Sequence, residues 1–332
     1  MAGDVMAEPL VTIVVVPRER FSFALASLDA IYERTSFPFS LVYVDAGSPR
    51  AVQRALQRRA ADRGFELIRV DRYLTPNAAR NVGLQRVRTR YVVFIDNDAM
   101  VMPGWLTALV GCAEETGAAV CGPLQLIGQP ERELIHIAGG TAGIIEQDGR
   151  RRFDAEHRLS GKRVSEVRDS LVREPVDEIE FHCMLVRTEV FERLGPLDEG
   201  LLNTQEHSDL CLKVREAGLP VVFEPTSVVS YVPPPPFALS DIPYFLLRWS
   251  DEWTRSSLEH FVARWRLDPT DPGLESTLGF VRWHRRLPVR HARALCERAI
   301  GAPIDRWKRW LMPLEQSVIR RWTRFVGRRA AR

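Results

Sequence analysis

The chain has 332 residues, of which 45% are hydrophobic and 27% are charged. This composition is typical of a soluble globular protein and excludes a disordered or fibrous one. The length allows one large α/β domain with an appendage, or two modest domains. No apolar stretch approaches the roughly 20 residues that a membrane-spanning helix needs, so we expect no transmembrane segment.

The cysteines and the N-terminus indicate the cellular compartment. The five cysteines are odd in number and scattered, without a C-x-x-C pair. This pattern predicts buried thiols in a reducing cytoplasm, rather than disulfides or a zinc site. The first residues are partly acidic and lack the basic start and apolar run of a secretory signal. We therefore expect a cytoplasmic protein.

The net charge of +3 is unevenly distributed along the chain. Residues 281–332 carry fifteen Arg and Lys against three acids, a net +12, which leaves −9 for the first 280 residues. Such a basic segment pairs with something anionic, either a membrane surface or the acidic body of the same chain. The first alternative predicts a peripheral position at the inner face of the membrane. No nucleic acid is expected as a partner, since no recognised nucleic-acid-binding module accompanies the segment.

Strand and helix signals alternate through the first 125 residues. Strands are predicted over residues 10–16, 41–44, 65–70 and 91–95, and helices over residues 23–32, 51–63 and 77–87. Repeated units of this kind imply an α/β fold with a mostly parallel central sheet flanked by helices. The unbroken apolar run at 91–95 indicates a strand buried on both faces. Ligands of such sheets bind beyond the carboxyl ends of the strands, where Asp45 and the Asp96-Asn97-Asp98 triplet lie.

The middle of the chain is less regular. The glycine-rich residues 139–143 are expected to be flexible, and residues 147–174 to form a loop-rich insertion. Further strands are predicted over residues 179–186, 221–223 and 228–232, and helices over residues 188–194 and 204–217. Thr204 is the expected cap of the last of these helices.

Four consecutive prolines, Pro233 to Pro236, form a stiff extended spacer. We place a domain boundary there, with an α/β domain over residues 1–235 and a helical extension rich in Trp and Arg over residues 236–332. Within the extension, an apolar stripe among arginines runs from Trp307 to Phe325.

Asp96 and Asp98 are the strongest candidates for chemistry. Residues i and i+2 of an extended chain point the same way, so both carboxylates can face one small site. Two unpaired charges after a buried strand would be costly without a cation. Carboxylates suit Mg²⁺ or Mn²⁺, which also bind a substrate's phosphates. A solvated turn is the alternative for an isolated D-x-D.

Two further groups of polar residues have both a functional and an ordinary interpretation. Asp45 could accept a hydrogen bond from a nucleotide base or merely cap its turn, and Arg80 could bind a pyrophosphate or lie on the surface. Glu206, His207 and Asp209 open a predicted helix, where a carboxylate or histidine could act as a general base. Favourable electrostatics at a helix start is the alternative for the two acids.

Taken together, these segments resemble the family 2 glycosyltransferases, which have a GT-A fold and mostly act with inversion. The likeness covers residues 10–232. Its points are VTIVVVP (11–17), VDAGSP (44–49), NAARNVG (77–83), FIDND (94–98), PGWL (103–106), FERLGPLDE (191–199) and EHSDLCLK (206–213).

The resemblance implies an inverting transfer of sugar from a nucleoside-diphosphate sugar to a hydroxyl of a glycan, lipid-linked or other acceptor, in the synthesis of a cell-surface glycan or glycoconjugate. Asp96 and Asp98 would hold Mg²⁺ or Mn²⁺. The residues that would contact the nucleotide-sugar donor are Pro17, Asp45, Arg80, Asn97 and Asp209.

The chain departs from the family pattern at two positions. The family usually has an aspartate as its base where this chain has His207, so His207 or Glu206 would take that role. The family often has a late metal-binding histidine where this chain has Tyr231. A catalytically degenerate protein that only binds a nucleotide sugar or acts as a scaffold is the alternative.

Overall fold

The structure is a computed structural model that describes residues 9–300 together with Ser317, Arg321, Trp322 and Phe325. Most of the predicted stripe from Trp307 to Phe325 lies outside these residues. None of the described helices combines the length and the apolar content of a segment that crosses a bilayer.

Strands and helices alternate in the first part of the chain, as the sequence predicts. The strands are β1 (Val11–Val16), β2 (Ser40–Ala46), β3 (Glu66–Val70), β4 (Tyr91–Asp96), β5 (Ala99–Val101), β6 (Val120–Ile127), β7 (Ile135–Ile137), β8 (Gly140–Gln147), β9 (Arg150–His157), β10 (Glu174–Pro175), β11 (Cys183–Arg187) and β12 (Val221–Tyr231). The helices are α1 (Ala24–Arg34), α2 (Arg50–Arg63), α3 (Pro76–Leu84), α4 (Trp105–Thr116), α5 (Val164–Val167), α6 (Glu189–Leu194), α7 (Glu206–Glu216), α8 (Ile242–Arg248), α9 (Asp251–Trp265), α10 (Pro272–His284) and α11 (Leu287–Ile300).

Ten of the described strands form one central sheet in the order β10-β12-β6-β11-β4-β1-β2-β3, with β5 beside β12 and β7 beside β6. The neighbours among β3, β2, β1 and β4 are all parallel. Beyond β4 the sheet is mixed, because β11 runs antiparallel to both β4 and β6. The α/β prediction is confirmed, and the parallel part is the half built by the first βα units.

Hydrophobic side chains cover both faces of this sheet. Along β1, Ile13 packs into a core with α1, α2 and α4, whereas Val14 packs into a second core with α3, α6 and α7. Strands buried on both faces need no polar alternation. This double burial explains the unbroken apolar run at 91–95 in β4 and the β-branched, mostly apolar sequence of β1.

Two predictions for the middle of the chain are wrong. Most of residues 139–143, expected to be flexible, and the first part of residues 147–174, expected to be a loop-rich insertion, belong to the antiparallel pair β8–β9, which forms a separate two-stranded sheet. Asp148 and Gly149 join the strands with φ values of 53° and 71°, and a two-residue turn with two positive φ angles matches the right-handed twist of a hairpin.

The start of α7 and the last strand also differ from expectation. Gln205, not Thr204, is the N-cap residue of α7, and the hydroxyl of Thr204 has no hydrogen-bond partner among the residues described. The two strands predicted over residues 221–232 are one long β12. A register shift between Glu224 and Val228 interrupts its pairing with β6, which accounts for the apparent gap.

Helix α8 and the segment before it are tied to the loop that follows β1. Asp241 accepts hydrogen bonds from the backbone nitrogens of Phe21 and Ser22 at 2.9 and 3.0 Å. Arg20 donates to the carbonyl of Val232, which precedes the proline run, and to the carbonyl of Pro236, which ends it. The proline run and the start of α8 therefore contact the loop after β1, while the domain boundary at residue 235 stays a prediction.

The close contact of α3 with β1 gives a test of the packing. A Cβ atom on Gly83 would lie 2.3 Å from Cγ1 of Val14, so Gly83→Ala should lower the free energy of unfolding by about 1–3 kcal/mol. Gly111 in α4 is the matched control, because its nearest neighbour would be 3.9 Å away and Gly111→Ala should raise the stability by about 0.5–1 kcal/mol. Urea unfolding measures both, and equal effects of the two substitutions would contradict this packing.

Candidate active site

Asp96 and Asp98 lie where β4 meets the ends of its neighbours. Asp96 is paired with Val16 at the end of β1. Cys183 of β11 pairs with Ile95, which brings the preceding residue, His182, beside the aspartates. The ligand atoms of Asp96, Asp98 and His182 lie within 4.8 Å of one another. Asp96 and Asp98 are both fully buried.

Asp96 is surrounded by two guanidinium groups and an imidazole. Arg80 donates to its Oδ1 at 3.1 Å, Arg18 donates to Oδ2 at 3.4 Å, and Nδ1 of His182 lies 3.2 Å from Oδ2. Burial raises the pKa of this carboxyl, but His182, Arg18 and Arg80 outweigh burial and hold it below its usual value. Asp96 is therefore ionised and paired. Burial, with Arg18 second, also lowers the pKa of His182 to about 4, so its imidazole is neutral at physiological pH.

Asp98 has the opposite surroundings. Both of its carboxylate oxygens are buried, and neither has a hydrogen-bond partner within the described part of the chain. Burial, then the nearby carboxylates of Glu19 and Asp96, raises the pKa of Asp98 well above its usual value. An unpaired buried carboxylate is costly unless a cation accompanies it. Two carboxylates and a neutral imidazole therefore fit a divalent ion such as Mn²⁺ or Mg²⁺.

Asn97, between the two aspartates, fixes the loop that follows β1. Its Oδ1 accepts a hydrogen bond from the backbone nitrogen of Arg18 at 3.1 Å, and its Nδ2 donates to the carbonyl of Arg20 at 2.9 Å. The carbonyl of Pro17 accepts a hydrogen bond from Tyr244 at 3.2 Å. Asn97 and Pro17 thus hold Arg18 in place over Asp96, and their predicted contacts with a donor stay predictions.

Glu19 in the same loop is a buried anion that the sequence did not single out. It accepts hydrogen bonds from Trp249 Nε1 at 2.6 Å and from the hydroxyl of Tyr231, and it lies 2.9 Å from Nε2 of His284. Burial raises its pKa, but His284 and Arg18 together bring the pKa well below the usual value. Tyr231 also stacks on His182 with ring centroids 4.0 Å apart. His182, from the segment before β11, therefore places an imidazole next to Tyr231, the position at which the family often has a metal-binding histidine.

A cavity of about 670 Å³ opens beside the aspartates. Arg18, His182 and Tyr231 form the part of its wall that lies against them, whereas Asp96 and Asp98 are not on its surface. The sequence predicted two carboxylates that face a site directly. The structure places them one layer behind its wall, because Arg18 covers Asp96.

The three ionisable residues at the start of α7 go to three different partners. Glu206 lies 3.3 Å from the guanidinium of Arg248. His207 Nε2 lies 2.5 Å from Glu178 Oε1. Glu206 and His207 line the cavity, while Asp209 is hydrogen-bonded to α9.

Asp209 and Asp45 do not lie on the cavity wall. Asp209 accepts hydrogen bonds from Arg264 Nε at 2.6 Å and from Trp265 Nε1 at 3.0 Å. Asp45, at the end of β2, accepts hydrogen bonds from Arg69 at 2.8 Å and from the backbone nitrogen of Ser48 at 3.2 Å. Their roles at a donor stay predictions. Arg80 does line the cavity, and its guanidinium lies over the ring of Phe181 at 3.9 Å.

The histidine at position 207 is strongly perturbed. Burial lowers its pKa, but Glu178, and more weakly Glu180 and Glu206, raise it to about 9. His207 is therefore protonated at neutral pH when no ion is bound. The stability from this pairing is fully present below the unfolded pKa near 6.5 and is lost as the pH rises through about 9.

The titration of His207 can be followed by NMR on the metal-free protein. We expect a midpoint near pH 9 for its ring. Glu178→Gln removes the largest favourable charge, so the midpoint should fall toward the ordinary value near 6.5. His207→Gln identifies the resonance, and a midpoint near 6.5 in the unsubstituted chain would contradict the ion pair.

The unpaired carboxylate of Asp98 predicts a substitution that stabilises the metal-free protein. Its raised pKa means that ionisation costs stability once the pH exceeds the unfolded value near 4. Asp98→Asn should therefore raise the free energy of unfolding at pH 7 by about 1–2 kcal/mol, and the gain should vanish at acid pH.

Thermal unfolding with and without Mn²⁺ measures this effect and its reversal. Mn²⁺ at 100 times its Kd should stabilise the unsubstituted chain by about 2.7 kcal/mol and have no such effect on Asp98→Asn. Asp62→Asn, an exposed change on α2, is the control and should change neither value. If Mn²⁺ stabilised the unsubstituted chain and Asp98→Asn equally, Asp98 would not hold the ion.

Two known proteins are similar to this chain in sequence. The chain is 26% identical over 285 residues to the uncharacterized protein y4gI of Sinorhizobium fredii (strain NBRC 101917 / NGR234), covering 82% of this chain and 30% of that protein. It is 27% identical over 158 residues to the pre-mycofactocin glycosyltransferase of Mycobacterium tuberculosis (strain CDC 1551 / Oshkosh), covering 47% of this chain and 30% of that protein. The chain thus spans less than a third of the length of either relative.

A solved structure shows the same architecture. The mannosyltransferase PcManGT from Pyrobaculum calidifontis, in complex with GDP-Man and Mn²⁺, matches with a TM-score of 0.51 at 16% identity over 96% of this chain and 84% of that one. The fold is of the GT-A type, as the sequence predicts. The model of the family described as Glycosyl transferase family 2 matches residues 12–195. More than half of the chain is covered by that match, and the chain belongs to glycosyl transferase family 2.

Proposed function

We propose that the chain transfers a sugar, with inversion, from a nucleoside-diphosphate sugar to an acceptor hydroxyl in the synthesis of a cell-surface glycan or glycoconjugate. The observation that carries this proposal is the unpaired carboxylate of Asp98, which lies with Asp96 and His182 behind the wall of a large cavity. The family supports glycosyl transfer, and PcManGT binds GDP-Man and Mn²⁺.

The donor side of the site is proposed to lie around the aspartates. Asp96 and Asp98, with His182, would hold Mg²⁺ or Mn²⁺, which when bound neutralises the departing diphosphate. Arg18 and Arg80 line the cavity next to Asp96. One guanidinium group can bind two phosphate oxygens, so these two arginines would contact the diphosphate. Asp45 remains the proposed partner of the nucleotide base.

The acceptor side is proposed to lie at the start of α7. Glu206 is paired with the buried Arg248, so its carboxylate already has a partner within the protein. His207 lines the cavity with about a fifth of its side chain exposed. We therefore favour His207 as the base that accepts the proton of the acceptor hydroxyl, with Glu178 orienting its ring and Glu206 positioning Arg248. Because His207 is protonated at neutral pH, only its deprotonated fraction would act as the base, and transfer should rise as the pH approaches about 9.

The basic C-terminal segment supports a location in the cytoplasm at the inner face of a membrane as part of the proposal. In α11 the side chains of Val289 and Leu295 are exposed beside arginines. Apolar and basic side chains together favour an anionic surface. A lipid-linked acceptor would lie at such a surface.

Transfer assays test the proposed function directly. The chain is mixed with single nucleotide sugars, Mn²⁺ and candidate acceptors, with and without anionic vesicles, and the anomeric configuration of the product is read by NMR. Asp98→Asn and His207→Gln should each lower transfer by about 100-fold or more, while Asp62→Asn should leave it unchanged. Vesicles should raise the rate if the membrane contact is real.

Three outcomes would count against the proposal. Full transfer by Asp98→Asn, or in the presence of a chelator, would reject the metal role. Retention of configuration in the product would reject inversion. Binding of nucleotide sugars without turnover, over many donors and acceptors, would favour the degenerate or scaffold alternative.

A further inference from the structure

A second cluster of candidate metal-binding side chains lies on the cavity wall and meets the aspartate group at His182. Four of the seven histidines in the chain converge on two glutamates. The cluster consists of His136, His157, Glu178, Glu180, His182 and His207.

Three members of this cluster form a compact set of donors. The ligand atoms of His157, Glu178 and His207 all lie within 4.8 Å of one another. The three come from different parts of the chain: the end of β9, the segment before β11 and the first turn of α7. None of them belongs to the group of Asp96, Asp98 and His182, so the two sets can be occupied independently.

The surroundings of Glu178 provide a second and independent observation. Its Oε1 is 2.5 Å from His207 Nε2 and accepts a hydrogen bond from Ser208 Oγ at 3.0 Å. Its Oε2 is buried without any hydrogen-bond partner in the part of the chain that is described, and only 2% of the residue is exposed. A buried carboxylate oxygen in this state is costly unless a cation binds it.

We infer that His157, Glu178 and His207 form a second metal site, which takes Zn²⁺ or a similar transition ion. Two imidazoles and one carboxylate are the protein ligands of many zinc sites with an open fourth position. Nitrogen donors favour such ions, whereas Mg²⁺ prefers oxygen ligands alone. With two imidazoles and one carboxylate, this site is richer in nitrogen ligands than the group of Asp96, Asp98 and His182, which has two carboxylates and one imidazole.

Glu180 is placed to complete the coordination. Its Oε1 lies 3.6 Å from His157 Nε2 and 4.0 Å from His207 Nε2, and its Oε2 is held by His136 Nε2 at 2.7 Å. Held in this way, Glu180 can bind the ion or a water on it. The site faces the cavity that also borders Asp96.

Occupancy of the site changes what His207 can do. An imidazole must be neutral to bind a metal, so the ion replaces the proton that His207 otherwise shares with Glu178. The same ring nitrogen is then no longer available to a substrate. Metal binding here does not depend on the proposed transferase activity, and the test below needs no turnover.

Zn²⁺ binding to the full chain tests the site. Isothermal titration with Zn²⁺ compares the unsubstituted chain with His157→Gln, Glu178→Gln and Asp98→Asn. His157→Gln and Glu178→Gln should each weaken binding by about tenfold or more, and Asp98→Asn should leave this binding event in place. His260→Gln is the matched control, since His260 pairs with Asp198 outside the cluster, and it should bind Zn²⁺ as the unsubstituted chain does.

Co²⁺ provides a second readout of the ligands. Its visible absorption bands should appear on binding and should change in intensity when His157 is replaced by Gln, because one nitrogen ligand is lost. His157 is partly exposed at the end of a hairpin, so this variant should fold even if Glu178→Gln does not. The inference would be overturned if the chain did not bind Zn²⁺. It would also be overturned if His157→Gln changed neither Zn²⁺ binding nor the Co²⁺ spectrum, and the cluster would then be a network of ion pairs.

Discussion

The burial of a charged side chain at the end of β4 governs the structure around it. A carboxylate without solvent must be paired with cations or hydrogen-bond donors, and Asp96 meets this requirement with Arg80, Arg18 and His182. These partners come from α3, from the loop after β1 and from the segment before β11. The need to pair one side chain therefore determines where three distant segments meet, and Asp98 beside it is left without such partners.

The parts of the fold that follow from local pattern could be predicted from the sequence. A strand buried on both faces shows an unbroken apolar run, which identified β4, and a run of mostly β-branched apolar residues identified β1. Adjacent parallel strands end at the same edge, so the position of Asp96 and Asp98 at that edge followed from the order of the elements. The start of α7 was predicted to within two residues from local capping signals. Its cap was assigned to Thr204 instead of Gln205.

The partners of the site residues could not be predicted, because they are far apart in sequence. Arg18 and Asp96 are 78 residues apart, and Glu19 and His284 are 265 residues apart. Spacing along the chain contains no information about such contacts. Two local signals were nevertheless present: the Asp-Gly pair at 148–149, which favours a hairpin turn, and the alternation of Glu178, Glu180 and His182, which suits side chains that share one side of an extended segment.

The hairpin formed by β8 and β9 gives the cavity one of its sides. Phe153, Ala155 and His157 alternate along β9 and all line the cavity, as expected for every second residue of a strand. Because side chains in a strand alternate strictly, a pairing shift of one residue would turn all three outward together. The tight turn at Asp148 and Gly149 sets the pairing of β8 with β9. It therefore determines that His157, at the far end of the hairpin, points toward a molecule bound in the cavity.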